Sequence, residues 1–185
     1  ISDPNARIDA ENKTVTGIIA PNKSESISIS VSVKAGAEFG FYPSRYSKNR
    51  FADNLIPLKE GKNTVYLKIT ASNKVAQEVY RVEIYRKTKS GMPKISIVGN
   101  MAVISAAGGA AVYYTTDGSV PNSVTGILYT KPFEVDAGMI IRAISAEKGK
   151  DEVSDECILR PQSGTTPYIL DVIDAEEGAN EIQYN

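Results

Sequence analysis

The sequence predicts an all-β chain of two tandem β-sandwiches, and three observations carry that prediction. Apolar residues recur every second position: Ile27, Ile29, Val31 and Val33 alternate with Ser28, Ser30 and Ser32, and Val65, Leu67 and Ile69 alternate with Thr64, Tyr66, Lys68 and Thr70. That period places one face of a strand in a core and the other in water. Turn residues punctuate these runs at short intervals, as in residues 21–24, 59–63 and 99–100; strands of this length with such spacing build sandwiches. Finally, 185 residues suffice for two modules of roughly 70 to 90 residues, each able to bury its own core, and residues 87–93 form a polar stretch with Gly91 and Pro93 that reads as a linker too short for free movement.

Taken in order, Arg7-Ile8-Asp9 is an extended start and residues 10–13 a polar corner. Residues 14–19 form a second strand, closed by the turn at 21–24. The Ile/Ser alternation follows, then a corner at Ala35-Gly36, then the aromatics Phe39, Phe41 and Tyr42. Residues 55–58 are a short extended piece. Residues 64–70 and 78–86 form an amphipathic hairpin around a loop at 71–75, with Tyr80, Val82 and Ile84 inward and Arg81 and Glu83 outward. The first domain is therefore expected over residues 1–88.

The second, over 93–161, begins with strands at 94–98 and 101–105. In the run Val112-Tyr113-Tyr114-Thr115-Thr116, Val112, Tyr114 and Thr116 share one face and Tyr113 and Thr115 the other. Asp117-Gly118 ends that strand, because Gly tolerates the positive φ of a tight turn and Asp bonds its own backbone. Pro121 blocks further pairing. Extended structure resumes at 127–129, 133–135, 139–146 and 156–160, with Met139, Ile141, Ala143 and Ser145 assigned to the core face. The tail, 162–185, reads either as a docked β-hairpin or as the start of a further module. In it Glu177-Gly178-Ala179-Asn180 echoes Glu60-Gly61-Lys62-Asn63.

Two families are resembled. The run Tyr113-Tyr114-Thr115-Thr116-Asp117-Gly118-Ser119 with Pro121, then Leu128-Tyr129, then Ile140-Ile141-Arg142-Ala143, resembles the immunoglobulin-like or fibronectin-III-like domain at the C-terminus of chitobiases and β-hexosaminidases. The run 58–65, then Ile69-Thr70-Ala71, then Tyr80-Arg81-Val82-Glu83-Ile84-Tyr85-Arg86, resembles the end of the cadherin-like repeats of bacterial cell-surface proteins. These resemblances imply two immunoglobulin-like sandwiches in a bacterial, exported, extracellular or cell-surface setting. They also imply an accessory module that carries no catalytic residue. The start at Ile1, without Met or a signal peptide, is read as a fragment of something longer.

Composition narrows the chemistry. The chain has no histidine, so Ser-His-Asp and Cys-His nucleophiles, histidine bases and His-ligated metals cannot be assembled within it. Its single cysteine, Cys157, pairs with nothing in the chain and reads as a small buried hydrophobe. A net charge of -1 supplies no global field for nucleic acid, and no apolar run approaches a membrane span. Asp117-Gly118-Ser119 is a turn rather than an aspartic-protease dyad. The acidic clusters Asp151-Glu152, Asp155-Glu156 and Asp174-Glu176-Glu177 lack calcium-loop spacing and are read as solvated charge. No metal or cofactor is expected.

One stretch offers a candidate binding surface. Residues 39–51 interleave aromatics with cations, and Tyr42, Arg45, Tyr46, Lys48 and Arg50 are the candidate ligand-binding residues, able to stack on sugars or to meet an anionic cell-wall polymer. The competing reading has Phe39, Phe41 and Phe51 filling the core while the cations solvate a connection. The expected function is a non-catalytic spacer or tether between neighbouring domains of a parent protein. The alternatives are a module binding glycan or cell-wall polysaccharide, and a brace for a glycoside hydrolase, which would present an exposed apolar patch.

Overall fold

The computed structural model describes residues 5–161, and these are all-β, with two three-residue 3-10 turns and no α-helix among them. The chain divides into two compact units between Lys89 and Ser90. In the first, strands β1 (Arg7–Asp9), β2 (Thr14–Ala20), β4 (Glu38–Tyr42), β6 (Gly61–Thr70) and β7 (Gln77–Arg86) form a five-stranded sheet in the order β1-β2-β7-β6-β4. Strands β3 (Ser26–Ser28) and β5 (Leu55–Pro57) form a small second sheet. All neighbours are antiparallel except β2 and β7, which run parallel.

The expected alternation sets what lies between the sheets. Val15, Phe41, Val65, Leu67, Val82 and Ile84 from the large sheet meet Ile56 and Leu58 in one core, with Phe39, Phe51 and Tyr80 packed against it. Each such side chain, fully withdrawn from water, contributes roughly 1.5–3 kcal/mol. The Ile/Ser run departs from expectation in an instructive way. Burial alternates with period two through Val33, yet only Ser26–Ser28 pairs with a neighbour. Its hydrophobic faces are placed by packing, and β5 is too short to extend the ladder. Residues 59–63 also differ, since β6 begins at Gly61. The Asn63 side chain closes the narrower turn by accepting from Lys59 N–H and donating to its carbonyl.

Among its described residues the second unit has the seven strands the spacing predicts. Strands β10 (Ala111–Thr115), β11 (Ile127–Leu128), β13 (Ile141–Ala146) and β14 (Cys157–Leu159) form one sheet in the order β11-β10-β13-β14. Strands β8 (Lys94–Val98), β9 (Met101–Ser105) and β12 (Phe133–Glu134) form the other, in the order β12-β9-β8. Ile95, Ala102 and Ile104 face Val112, Ile141, Ala143, Cys157 and Leu159 across the core. Met139 packs against this core from just before β13, and Ser145 is fully buried, as expected for that face. Burying a hydroxyl requires partners, and Ser145 Oγ donates to the Gly91 carbonyl while its N–H donates to Ser154 Oγ. Ser90 Oγ in turn donates to the Glu152 carbonyl and accepts from Glu147 N–H. Residues 90 and 91, read from sequence as linker, are thus stitched into the second unit. Proposals for residues 162–185 lie outside the described residues.

Candidate functional site

The outer face of the five-stranded sheet carries a groove, and cross-strand register builds it. Asp9 pairs with Thr14, Thr14 with Arg81, Arg81 with Tyr66, and Tyr66 with Tyr42. Residues directly opposite on adjacent strands point to the same side. One row of side chains therefore crosses the whole sheet opposite the core. Adjacent strands lie about 4.8 Å apart, so the row spans on the order of 19 Å. The groove over its first part holds about 640 Å³, with Asp9, Lys13, Thr14, Arg45, Tyr66 and Arg81 among its lining.

Arg45 reaches this groove because the loop carrying it is pinned. The loop between β4 and the first 3-10 turn is closed at its base by Phe51 N–H donating to the Phe41 carbonyl at 2.8 Å. Lys68, on β6, sits 4.4 Å from the centre of the Tyr42 ring and donates to the Ser47 carbonyl at 2.6 Å. Ser44 Oγ accepts from Ser47 N–H, and Ser47 Oγ donates to the Asn49 carbonyl. Gly40, opposite Lys68, leaves the space that the Arg50 stem and the Tyr42 ring occupy.

The five residues singled out by sequence therefore part company. Arg45 lines the groove. Tyr42 is half-buried under Lys68 and ends the row. Tyr46 projects into solvent at 88% exposure. Lys48 is exposed, and Arg50 lies close enough to Glu38 to help hold that carboxyl below its usual range, after the larger effect of the Lys74 hydrogen bond and charge. Tyr66, Arg81, Thr14 and Lys13 were not anticipated as a site. The signal for two of them was present, since Tyr66 and Arg81 fall on the outward phase of their strands.

The electrostatics of the groove are uneven. Lys13 pairs with Glu78 at 3.1 Å, which raises the Lys13 pKa and lowers that of Glu78. Arg81 pairs with Glu83 at 3.0 Å. Asp9 already accepts from Asn12 through N–H and Nδ2, and these bonds depress its pKa. Arg45 makes no hydrogen bond or ion pair among the described residues.

In the second unit, polar side chains close the fold's own turns. Asp117 Oδ1 accepts from Ser119 N–H and Oγ, and Gly118 takes φ +81°. Thr115, rather than Thr116, is buried, its Oγ1 donating to the Ser119 carbonyl at 2.6 Å. Arg142 bonds Glu156 and the Gly118 carbonyl. Tyr114 stacks on Phe133 at 4.5 Å and meets Tyr129 edge-on at 6.2 Å; burial, then Tyr129, raises its pKa. Val120, Val124, Ile127 and Leu128 are each more than half exposed along the β11 edge and the loop before it. Among the described residues no cluster of three or more carboxylate or thiol groups is placed to hold a metal ion, and no helix is long and apolar enough to cross a membrane.

Residues 103–155, which run from within β9 to the segment before β14, match the family model described as Fn3 associated. No curated protein matches the chain significantly. Among solved structures the chain is similar to the N-terminal four Ig domains of Dscam1 isoform 6.44, at 8% identity and a TM-score of 0.29, covering 83% of this chain and 45% of that one. It is similar also to the same region of isoform 1.9, at 8% identity and a TM-score of 0.28, covering 85% and 45%. The chain thus spans less than half the length of either.

Proposed function

We propose that this chain is a non-catalytic accessory segment of an exported bacterial cell-surface protein or secreted enzyme, two β-sandwiches acting as spacer or tether for neighbouring domains. The observation that carries this reading is the Fn3 associated match over residues 103–155, falling on a unit whose polar side chains close its own turns. Asp117, Thr115, Arg142, Ser145 and Ser154 all spend their hydrogen bonds within the unit, on backbone or on nearby side chains. The chitobiase-type and cadherin-like sequence runs support the exported, extracellular setting and the accessory role.

The test is turnover by the purified chain on chitin, peptidoglycan and aryl-glycoside substrates. The expected result is no product above buffer. Product that disappears with a single substitution in the chain would overturn the accessory reading.

A second reading, a brace for a glycoside hydrolase domain, is favoured by the exposed apolar residues Val120, Val124, Ile127 and Leu128. Exposed apolar surface at a sheet edge invites a partner. If the brace operates, Val124→Lys with Leu128→Lys loosens an adjoining catalytic domain and lowers its melting temperature; an unchanged melting temperature removes this reading.

A further inference from the structure

We infer that the groove on the outer face of the first unit's five-stranded sheet binds a carboxylate-bearing oligosaccharide, with Tyr66 as the stacking platform and Arg45 as the anion-binding group. This goes beyond the spacer reading by giving a tether something to hold. The evidence is the assembly of complementary groups along one row. Tyr66 is half-buried in the row between Arg81 and Tyr42, and its side chain has no ring or hydrogen-bond partner among the described residues, so its face is open to a sugar ring.

Charge complementarity sets the ligand class. Lys13 and Arg81 have acidic partners in Glu78 and Glu83, and the one carboxylate among the lining residues, Asp9, is occupied by Asn12. Arg45 is left with an uncompensated guanidinium, whose planar fork suits a carboxylate. At the other end Thr14 and the Asp9–Asn12 pair supply donors and acceptors for neutral hydroxyls. A chain with ring faces, hydroxyls and a carboxylate satisfies all three parts. A polyphosphate lacks the ring, and a neutral glucan lacks the anion.

The experiment is titration of the full chain with oligogalacturonate, its methyl ester, a neutral cello-oligosaccharide and a polyphosphate at low salt. Saturable binding of the oligogalacturonate is expected, weakened at least about tenfold by esterification, by Tyr66→Ala and by Arg45→Ala. Tyr66→Phe retains the ring and should retain binding, and Tyr46→Ala, out in solvent, should change nothing. No binding overturns the inference, as does equal binding of the ester or the polyphosphate, or binding indifferent to Tyr66→Ala in a variant whose circular dichroism is unchanged. The absence of binding would leave the spacer reading standing, whereas turnover would sink that reading without touching the groove.

Discussion

Arg142 and Glu156 are joined at one carboxylate oxygen, Nε donating to Oε2 at 2.6 Å and Nη2 in ion-pair contact with it at 2.5 Å, while Arg142 Nη1 donates to the Gly118 carbonyl at 3.0 Å. One guanidinium thus couples the Asp117-Gly118 turn to β13 and to the start of β14. Both side chains are about three-quarters withdrawn from solvent, so the bonds are less screened than those of a surface pair. Arg142→Met leaves a carboxylate and a carbonyl without partners. The expected loss is about 2 kcal/mol, read as a lower denaturation midpoint at unchanged slope, with Glu156→Gln giving a sub-additive double mutant.

The same turn predicts a pH dependence. Hydrogen bonds from Ser119, first its hydroxyl and then its N–H, hold the Asp117 carboxyl below its usual value. A folded pKa below the unfolded one means that ionised Asp117 adds stability above the unfolded value, about 3.9. That contribution is lost as pH falls through the lower folded value. Thermal melts of wild type and Asp117→Asn should therefore differ most near neutrality and converge in acid. A gap that stayed constant with pH would show that the turn owes nothing to the charge.

Much of this was legible in the sequence, and what was missed shares one cause. The inward phases of Val65-Leu67-Ile69 and Tyr80-Val82-Ile84 are local patterns, and each strand carries its own. The same alternation put Tyr66 and Arg81 outward. It could not tell that they stand opposite one another, because register depends on turn geometry and on partner strands far along the chain. The Ile29 to Val33 run shows the converse, with its burial legible and its lack of a ladder not. Arg45, Tyr46, Lys48 and Arg50 looked equivalent as a cationic and aromatic string. The bonds that pin their loop decide which of them enters the groove, and those that Lys68 makes to Tyr42 and Ser47 come from a different strand.

Register itself rests on Gly17. The β2–β7 pairing shifts between Val15 and Ile18, and Gly17 occupies that shift at φ +83°. A Cβ there would overlap the Asn5 carbonyl oxygen, which is backbone and cannot swing aside. Strain and clash together exceed the usual cost of a left-handed non-glycine residue, 1–2 kcal/mol or so. Gly17→Ala should cost roughly 3 kcal/mol or more, and amide exchange at β2 and β7 should accelerate. Wild-type protection in the variant would mean that the shift has another origin.

Asn54 marks a place where the fold can be improved. It takes φ +55°, and its buried side-chain oxygen accepts no hydrogen bond among the described residues. Glycine fits that backbone and removes the stranded acceptor, at the cost of extra freedom in the unfolded chain. Asn54→Gly is expected to stabilise by about 1 kcal/mol, raising the melting temperature by a few degrees. A lower melting temperature would show that the amide has partners that offset its orphaned oxygen.

Cys157 offers a direct reading of how firmly the second sandwich closes. It lies on β14, 1% exposed, and joins the core formed with Ile95, Ala143 and Leu159. Burial pushes its thiol pKa up, against a smaller opposing effect of the hydrogen bond with the Ile95 backbone. Only the thiolate reacts, so both exclusion and the raised pKa slow alkylation. Iodoacetamide at neutral pH should leave the native chain unmodified over hours and label it fully in denaturant. Under conditions where opening limits the reaction, the labelling rate should then rise with the unfolding of β14 and follow Arg142→Met, whose lost partner Glu156 immediately precedes the cysteine. Fast labelling of the native protein would place β14 among the parts that open locally, and would separate its stability from that of the β10 and β13 pair beside it.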